Sequence, residues 1–210
     1  MTVVAFVSQK GGVGKSTLAR ALSVEAARAG LAVRMADLDV SQGSQVDWHR
    51  DRLAAGLDPA PPVQLHRTLQ DALSYAASVD LLTIDGPARA DADTLAAARS
   101  ADLVVLPTGP SLDDLRPAVR VGNSLVKAGI PATRLLYVLT RVSSEAEADA
   151  ARDYMISAGY RVASGYLPER TAFRTAQNGG RAVTETQYPS LRAAAERVVQ
   201  ALIDALPEEG

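Results

Sequence analysis

The sequence has no cysteine, which excludes disulfide staples and thiolate-held metal sites and suits a reducing compartment. Its two histidines, His49 and His66, stand apart with no partner cluster and are expected to be ordinary polar residues, not zinc ligands. No apolar run approaches the ~20 residues of a membrane-spanning helix. Met1-Thr2-Val3 carries no basic stretch ahead of its apolar run. A soluble, cytoplasmic protein is expected. The net charge is -2, from 22 basic and 24 acidic residues, so any contact with nucleic acid must come from a local patch. What is present is 210 residues, 47% of them apolar. That is enough for one substantial core, and no linker splits the chain, so residues 1–210 are expected to form a single domain.

Alanine raises helical propensity nearly everywhere, so strands are found from Val, Ile, Leu and Tyr clusters. Strands are predicted at 3–7, 31–36, 63–65, 80–85, 103–107, 134–140 and 159–163. Helices are predicted at 18–28, 68–77, 91–99, 113–127, 145–158 and 188–206, while 43–60 reads as polar and interrupted. Strand and helix alternate throughout. The fold class is therefore α/β, with a mainly parallel β-sheet covered by helices on both faces.

The most informative segment is Lys10-Gly11-Gly12-Val13-Gly14-Lys15-Ser16-Thr17, between the first strand and the first helix. Small residues let consecutive backbone N–H groups converge on a phosphate, and the following helix adds its positive end. Lys15 is placed to reach the β- and γ-phosphates, and the Ser16 hydroxyl to ligate Mg²⁺. This is the Gly-Lys-Ser end of a Walker A loop, and it predicts a P-loop NTPase fold. The usual loop has glycine where this chain has Lys10. That second cation can neutralise its own nucleotide or extend toward a triphosphate held by another subunit, as an arginine finger does.

Two acidic stations lie at the C-terminal ends of predicted strands, the edge where ligands collect in open α/β sheets. Asp85 closes a hydrophobic strand and can hold Mg²⁺ with Ser16. Asp37 closes another strand, with Asp39 in the turn beyond, placed to contact a metal shell or to orient the water that attacks a γ-phosphate. Asp37 is given a supporting role.

Lys10 to Thr17 resemble the deviant Walker A motif, K-G-G-x-G-K-[ST]-T, of the ParA/MinD group of ATPases. The short chain is most similar to plasmid-partition ParA proteins that lack an N-terminal DNA-reading domain. The resemblance implies ATP and Mg²⁺ as cofactors and an ATP-driven sandwich homodimer in which Lys10 reaches the partner's phosphates. It also implies phosphate binding by Lys15, Mg²⁺ binding by Ser16 and Asp85, and water positioning by Asp39. Where the family commonly reads Asp-x-Asp-Pro-Gln, this chain has Asp37-Leu38-Asp39-Val40-Ser41-Gln42. Thr140, Arg141 and Pro168 follow late strands where the family's base-contacting residues occur, and are candidates for the adenine pocket.

Family members of this type bind nonspecific DNA as ATP dimers and answer to a centromere-binding or adaptor protein. Nucleoid association in the ATP-bound state is expected. Arg170, Arg174, Arg181, Arg192 and Arg197 make the C-terminal third more basic and are candidates for salt-sensitive phosphate contacts. The final helix ends in acidic residues and its apolar period fits core packing, so membrane attachment is not expected. Three other readings remain: positioning of a protein complex or conjugation machinery, an ATP-dependent metabolic synthetase, and a metal-cluster assembly chaperone, which the lack of cysteine disfavours.

Overall fold

The computed structural model describes residues 1–40, 43–76, 78–86 and 92–207. Among them strands and helices alternate as β1 (Thr2–Phe6), α1 (Lys15–Arg28), β2 (Val33–Asp37), α2 (Ser44–Ala54), β3 (Val63–Leu65), α3 (Leu69–Tyr75), β4 (Leu81–Asp85), α4 (Ala92–Ser100), β5 (Leu103–Thr108), α5 (Leu112–Lys127), β6 (Leu135–Val142), α6 (Glu145–Ser157), β7 (Arg161–Pro168), α7 (Thr171–Asn178) and α8 (Pro189–Ile203). The strands form one seven-stranded sheet in the order β3-β2-β4-β1-β5-β6-β7. Every pairing is parallel.

Side-chain alternation along β1 divides the interior into two cores. Val3, Ala5 and Val7 enter one, with Leu82, Ile84, Val104, Leu106 and the inner residues of α4, α5 and α6. Val4 and Phe6 enter the other, with Leu18 and Leu22 of α1 and Val198, Val199 and Leu202 of α8. A strand buried on both faces has no polar side to alternate with, which is why β1, β4 and β5 read as near-continuous apolar runs. The apolar side of α8 is spent on this core.

The order of strands places β1 between β4 and β5, so the connection from β4 to β5 through α4 crosses β1. The crevice at the C-terminal ends of these strands is the standard ligand position in an open α/β sheet. Register aligns the site: Phe6 pairs with Asp85, and Asp37 with Asp85. Two carboxylates and the start of the glycine loop are thus brought to one edge.

Three expectations are corrected. The segment 43–60 contains the helix α2, whose buried residues Gln45, Trp48 and Arg52 follow helical spacing but include only one apolar side chain. An apolar-period reading cannot find such a helix. α7 is a further helix that the apolar pattern does not reveal, being only 8 residues long and burying just Phe173 and Ala176. The last strand runs to Pro168, not to 163. Ser164 and Gly165 read as breakers, yet Gly165 is where β7 lies against α8, since a Cβ there would come within 3.2 Å of Val198 Cγ2. Pro168 closes an edge strand, where a missing N–H is tolerated.

Candidate functional site

The loop between β1 and α1 turns twice through left-handed backbone, at Gly12 (φ 72°) and Gly14 (φ 99°). Gly14 caps α1 with no side-chain hydrogen bond, and the first turn of the helix holds no acidic residue. Leading N–H groups of a helix have no intrahelical acceptor and carry its positive end, so this loop has the chemistry that would suit an anion. The loop is braced from behind. Thr140 is buried and its hydroxyl donates to the Val13 carbonyl at 2.8 Å. Its hydroxyl is therefore committed to the loop backbone. Lys15 is buried at the cradle's base.

Asp85 lies at the end of β4, 4% exposed. Ser16 Oγ donates to its Oδ2 at 2.5 Å and Gln45 Nε2 donates to the same oxygen at 2.9 Å. Asp85 Oδ1 is buried without a hydrogen-bond partner. Burial pushes the carboxyl upward, against the donors Ser16 and Gln45 and the charges of Lys15 and Arg20. An additional cation at Oδ1 would relieve this electrostatic cost. Among the described residues no group of three or more His, Cys, Asp or Glu is placed to hold a metal. A sparse, all-oxygen donor set suits Mg²⁺, which keeps water and takes phosphate oxygens as ligands. Ser16 and Asp85 are the residues that would hold it.

Asp37 is fully buried and accepts backbone N–H groups from Asp39 at 2.9 Å and Gln45 at 3.2 Å. Burial raises its pKa to about 6, with the Asp39 and Gln45 amides opposing. It acts as a brace that fixes the turn after β2. Asp39 is half-buried on that turn, and its carbonyl accepts from Gly43 N–H at 3.0 Å. Ser41 and Gln42, the altered part of the Asp-x-Asp-Pro-Gln pattern, lie outside the described residues.

Lys10 is 48% exposed at the mouth of the loop, and its Nζ pairs with Asp114 of α5. Arg141 Nη2 approaches the same carboxylate at 3.5 Å, and Ser111 Oγ donates to it at 3.0 Å. Burial raises the Asp114 carboxyl, but Lys10, Ser111 and Arg141 together hold it below its ordinary value. Arg141 reaches this position through a bulge. Thr140 pairs with Leu167 and Val142 with Pro168, so Arg141 is the extra residue, and its φ is 56°. Bulges of this kind re-aim a side chain.

Beside the cradle opens a cleft of about 340 Å³ whose lining includes Gly12, Gly14, Thr17, Thr140, Arg141 and Pro168. The three residues selected for the adenine pocket thus border the phosphate loop. Arg170, Arg174 and Gln177 line the same cleft. A larger cavity of about 540 Å³ between α7 and the start of α8 holds Arg181 and Arg192 but no residue of the loop between β1 and α1. Chemistry, not size, places the site. The five arginines considered for DNA are all exposed but are distributed over these two clefts and α8.

Sequence reasoning did not select Gln45, Arg20 or Asp114. Arg20 is buried on α1 and bonds Gln45 Oε1 at 2.7 Å, the Ser44 carbonyl at 2.8 Å and Gln177 Oε1 at 3.2 Å. Asp114 had a usable signal, because Ser111-Leu112-Asp113-Asp114 has the spacing of a helix-start box just after a strand that ends at the ligand edge.

The structure is similar to MinD from Pyrococcus horikoshii OT3 complexed with Mg-ADP, at 21% identity and TM-score 0.75, covering 96% of this chain and 95% of that one. It is similar to McdA from Cyanothece in complex with ATP, at 19% identity and TM-score 0.70, covering 100% and 98%. A plasmid partition protein from Borrelia burgdorferi matches at 15% identity and TM-score 0.70, covering 98% and 99%. These likenesses show the P-loop NTPase fold. No curated protein matches the sequence. Residues 4–183 match the CobQ/CobB/MinD/ParA nucleotide binding domain. A match over that much of the chain settles its kinship: it belongs to the ParA/MinD nucleotide-binding family.

Proposed function

We propose that the chain is a Mg²⁺-dependent ATPase that closes into an ATP-sandwiching homodimer, binds nonspecific DNA in that state, and positions plasmid or chromosomal cargo through a centromere-binding or adaptor protein. The observation that carries this reading is the second lysine, Lys10, standing exposed at the mouth of a complete phosphate cradle. A cradle alone serves any nucleotide. A half-exposed cation at its mouth, held by Asp114, is within reach of a phosphate that another copy brings.

In this reading Lys15 and the loop amides hold the β- and γ-phosphates, and Lys10 extends to the partner's triphosphate. Bound Mg²⁺ neutralises charge on the phosphates, with Ser16 and Asp85 holding it. Asp39 orients the attacking water, and Arg141 and Pro168 border the base with Thr140 behind the loop. The ATP-bound McdA and Mg-ADP-bound MinD structures support the choice of nucleotide and ion. The plasmid partition relative supports the choice of cargo. Among the described residues no helix is long and apolar enough to cross a membrane.

Asp39→Ala should retain ATP and accumulate as a persistent dimer, with phosphate release falling by about 10²–10⁴, the usual range for loss of a positioned base. Single-turnover phosphate release checks this, and release at the wild-type rate would reject the role. The cargo reading is tested by cosedimentation with nonspecific DNA across a salt series. Binding should require ATP and weaken steeply with salt. Absence of DNA binding at low salt would remove DNA from the proposal and favour a protein-only cargo.

A further inference from the structure

We infer that Gln45, at the start of α2, is the positioning residue that fixes Asp85 for the cation. This rests on the Mg²⁺ reading above and extends it to a residue outside the phosphate loop and the strand-end carboxylates.

Gln45 is fully buried, and its side chain joins three elements. Nε2 donates to Asp85 Oδ2 at 2.9 Å and to the Ser16 carbonyl at 3.4 Å, while Oε1 accepts from Arg20 Nε at 2.7 Å. The sense of the amide follows from chemistry. A guanidinium only donates, so the amide oxygen must face Arg20 and the NH₂ must face Asp85. Arg20 is itself held by the Ser44 carbonyl and Gln177, and lies 5.2 Å from the centre of the Trp48 ring. The clamp behind Gln45 is therefore packed on both sides.

Its effect falls on one carboxylate oxygen. Ser16 and Gln45 both donate to Asp85 Oδ2, and Oδ1 is left buried without a partner. Turning the carboxylate would break two donor contacts, so Oδ1 is kept as the acceptor available to the cation or its water. Gln45 also donates its backbone N–H to Asp37 Oδ2 at 3.2 Å. One residue thereby ties the cation site to the turn that carries Asp39.

Partners of a metal-holding side chain typically change metal affinity by about 10–100-fold when removed. Gln45→Glu keeps length and the Arg20 contact but replaces the donor facing Asp85 with an acceptor. Gln45→Met keeps the volume and removes both contacts. Affinity of the full chain for a fluorescent ADP analogue is measured by anisotropy, first in EDTA and then across a Mg²⁺ titration. Both variants should bind within about twofold of wild type in EDTA and need at least about tenfold more Mg²⁺ to reach the tight-binding state. Trp48 is the sole tryptophan, so the unmodified chain gives a second readout. Its emission should change when Mg²⁺ is added to the ADP-loaded protein. An unshifted Mg²⁺ midpoint in Gln45→Glu would overturn the role of Gln45 while leaving the cation site standing. A wild-type chain with no Mg²⁺ response would overturn the cation site and this inference together.

Discussion

Lys10→Ala should abolish ATP-driven association of the chain while leaving its fold and most of its nucleotide binding intact. The substitution removes a half-exposed side chain whose partner here is Asp114. Ion pairs that face solvent contribute about 0–1 kcal/mol, so neither the fold nor the departure of Lys10 from Asp114 is strongly opposed. Arg141, already 3.5 Å from Asp114, remains to balance that carboxylate when Lys10 leaves. A cation delivered in trans to a transferring phosphoryl group is worth roughly 10³–10⁵ in kcat. Partner-stimulated hydrolysis should therefore fall toward the unstimulated rate. Light scattering with a nonhydrolysable ATP analogue reads the association, and a nucleotide titration reads the binding. Dimerisation equal to wild type would show that Lys10 serves only its own subunit.

The second large effect is on stability. Arg52→Ala should destabilise the chain by about 3–5 kcal/mol, the range for stripping one partner from a buried ion pair. Arg52 is fully buried and donates to both oxygens of Glu185, at 2.6 and 3.0 Å, and to the carbonyls of Pro59 at 2.7 Å and Gly180 at 3.0 Å. Its guanidinium lies 5.5 Å from the Trp48 ring centre. Truncation leaves two carbonyls unpaired, opens a void and leaves Glu185 to Arg28 and the Ala182 N–H. Urea unfolding measures the loss, and a cost under about 1 kcal/mol would mean that the pair is replaced by solvent. A double variant, Arg52→Met with Glu185→Leu, should cost less than Arg52→Ala because no charge is left stranded. Burial opposes the charge on Glu185, but Arg52, the Ala182 amide and Arg28 hold its carboxyl below its ordinary value of 4.5. A depressed carboxyl stabilises the fold fully above that ordinary value and loses its contribution as pH falls through the lowered one. The gap between wild type and Arg52→Ala should therefore narrow in acid.

How much of this was legible in the sequence differs by element. β1, β4 and β5 are legible because strands covered on both faces carry apolar residues at most positions. α2 did not, because it presents Gln45 and Arg52 to the interior beside Trp48, and the polar residues gain their place only from distant partners. The second half of β7 is hidden for a related reason: Gly165 looks like a breaker, yet it is where α8 packs over the strand. In the site, the phosphate loop is a contiguous string whose chemistry depends on adjacent residues, so it could be read directly. Asp85 could be read as a strand-end carboxylate at the ligand edge. Gln45 and Asp114 acquire their roles from side chains 40 and 104 positions away. The turn of Arg141 toward Asp114 comes from a bulge between β6 and β7, and no local pattern encodes that register.

In the proposed cycle a triphosphate draws two copies together across the exposed lysine. Sedimentation velocity of the wild-type chain with Mg²⁺ and a nonhydrolysable ATP analogue, run over a wide range of protein concentration, tests it most directly. The chain should be a monomer with ADP and a dimer with the triphosphate analogue, populated more fully as concentration rises. A nucleotide-loaded chain that sediments as a monomer at every concentration would contradict it.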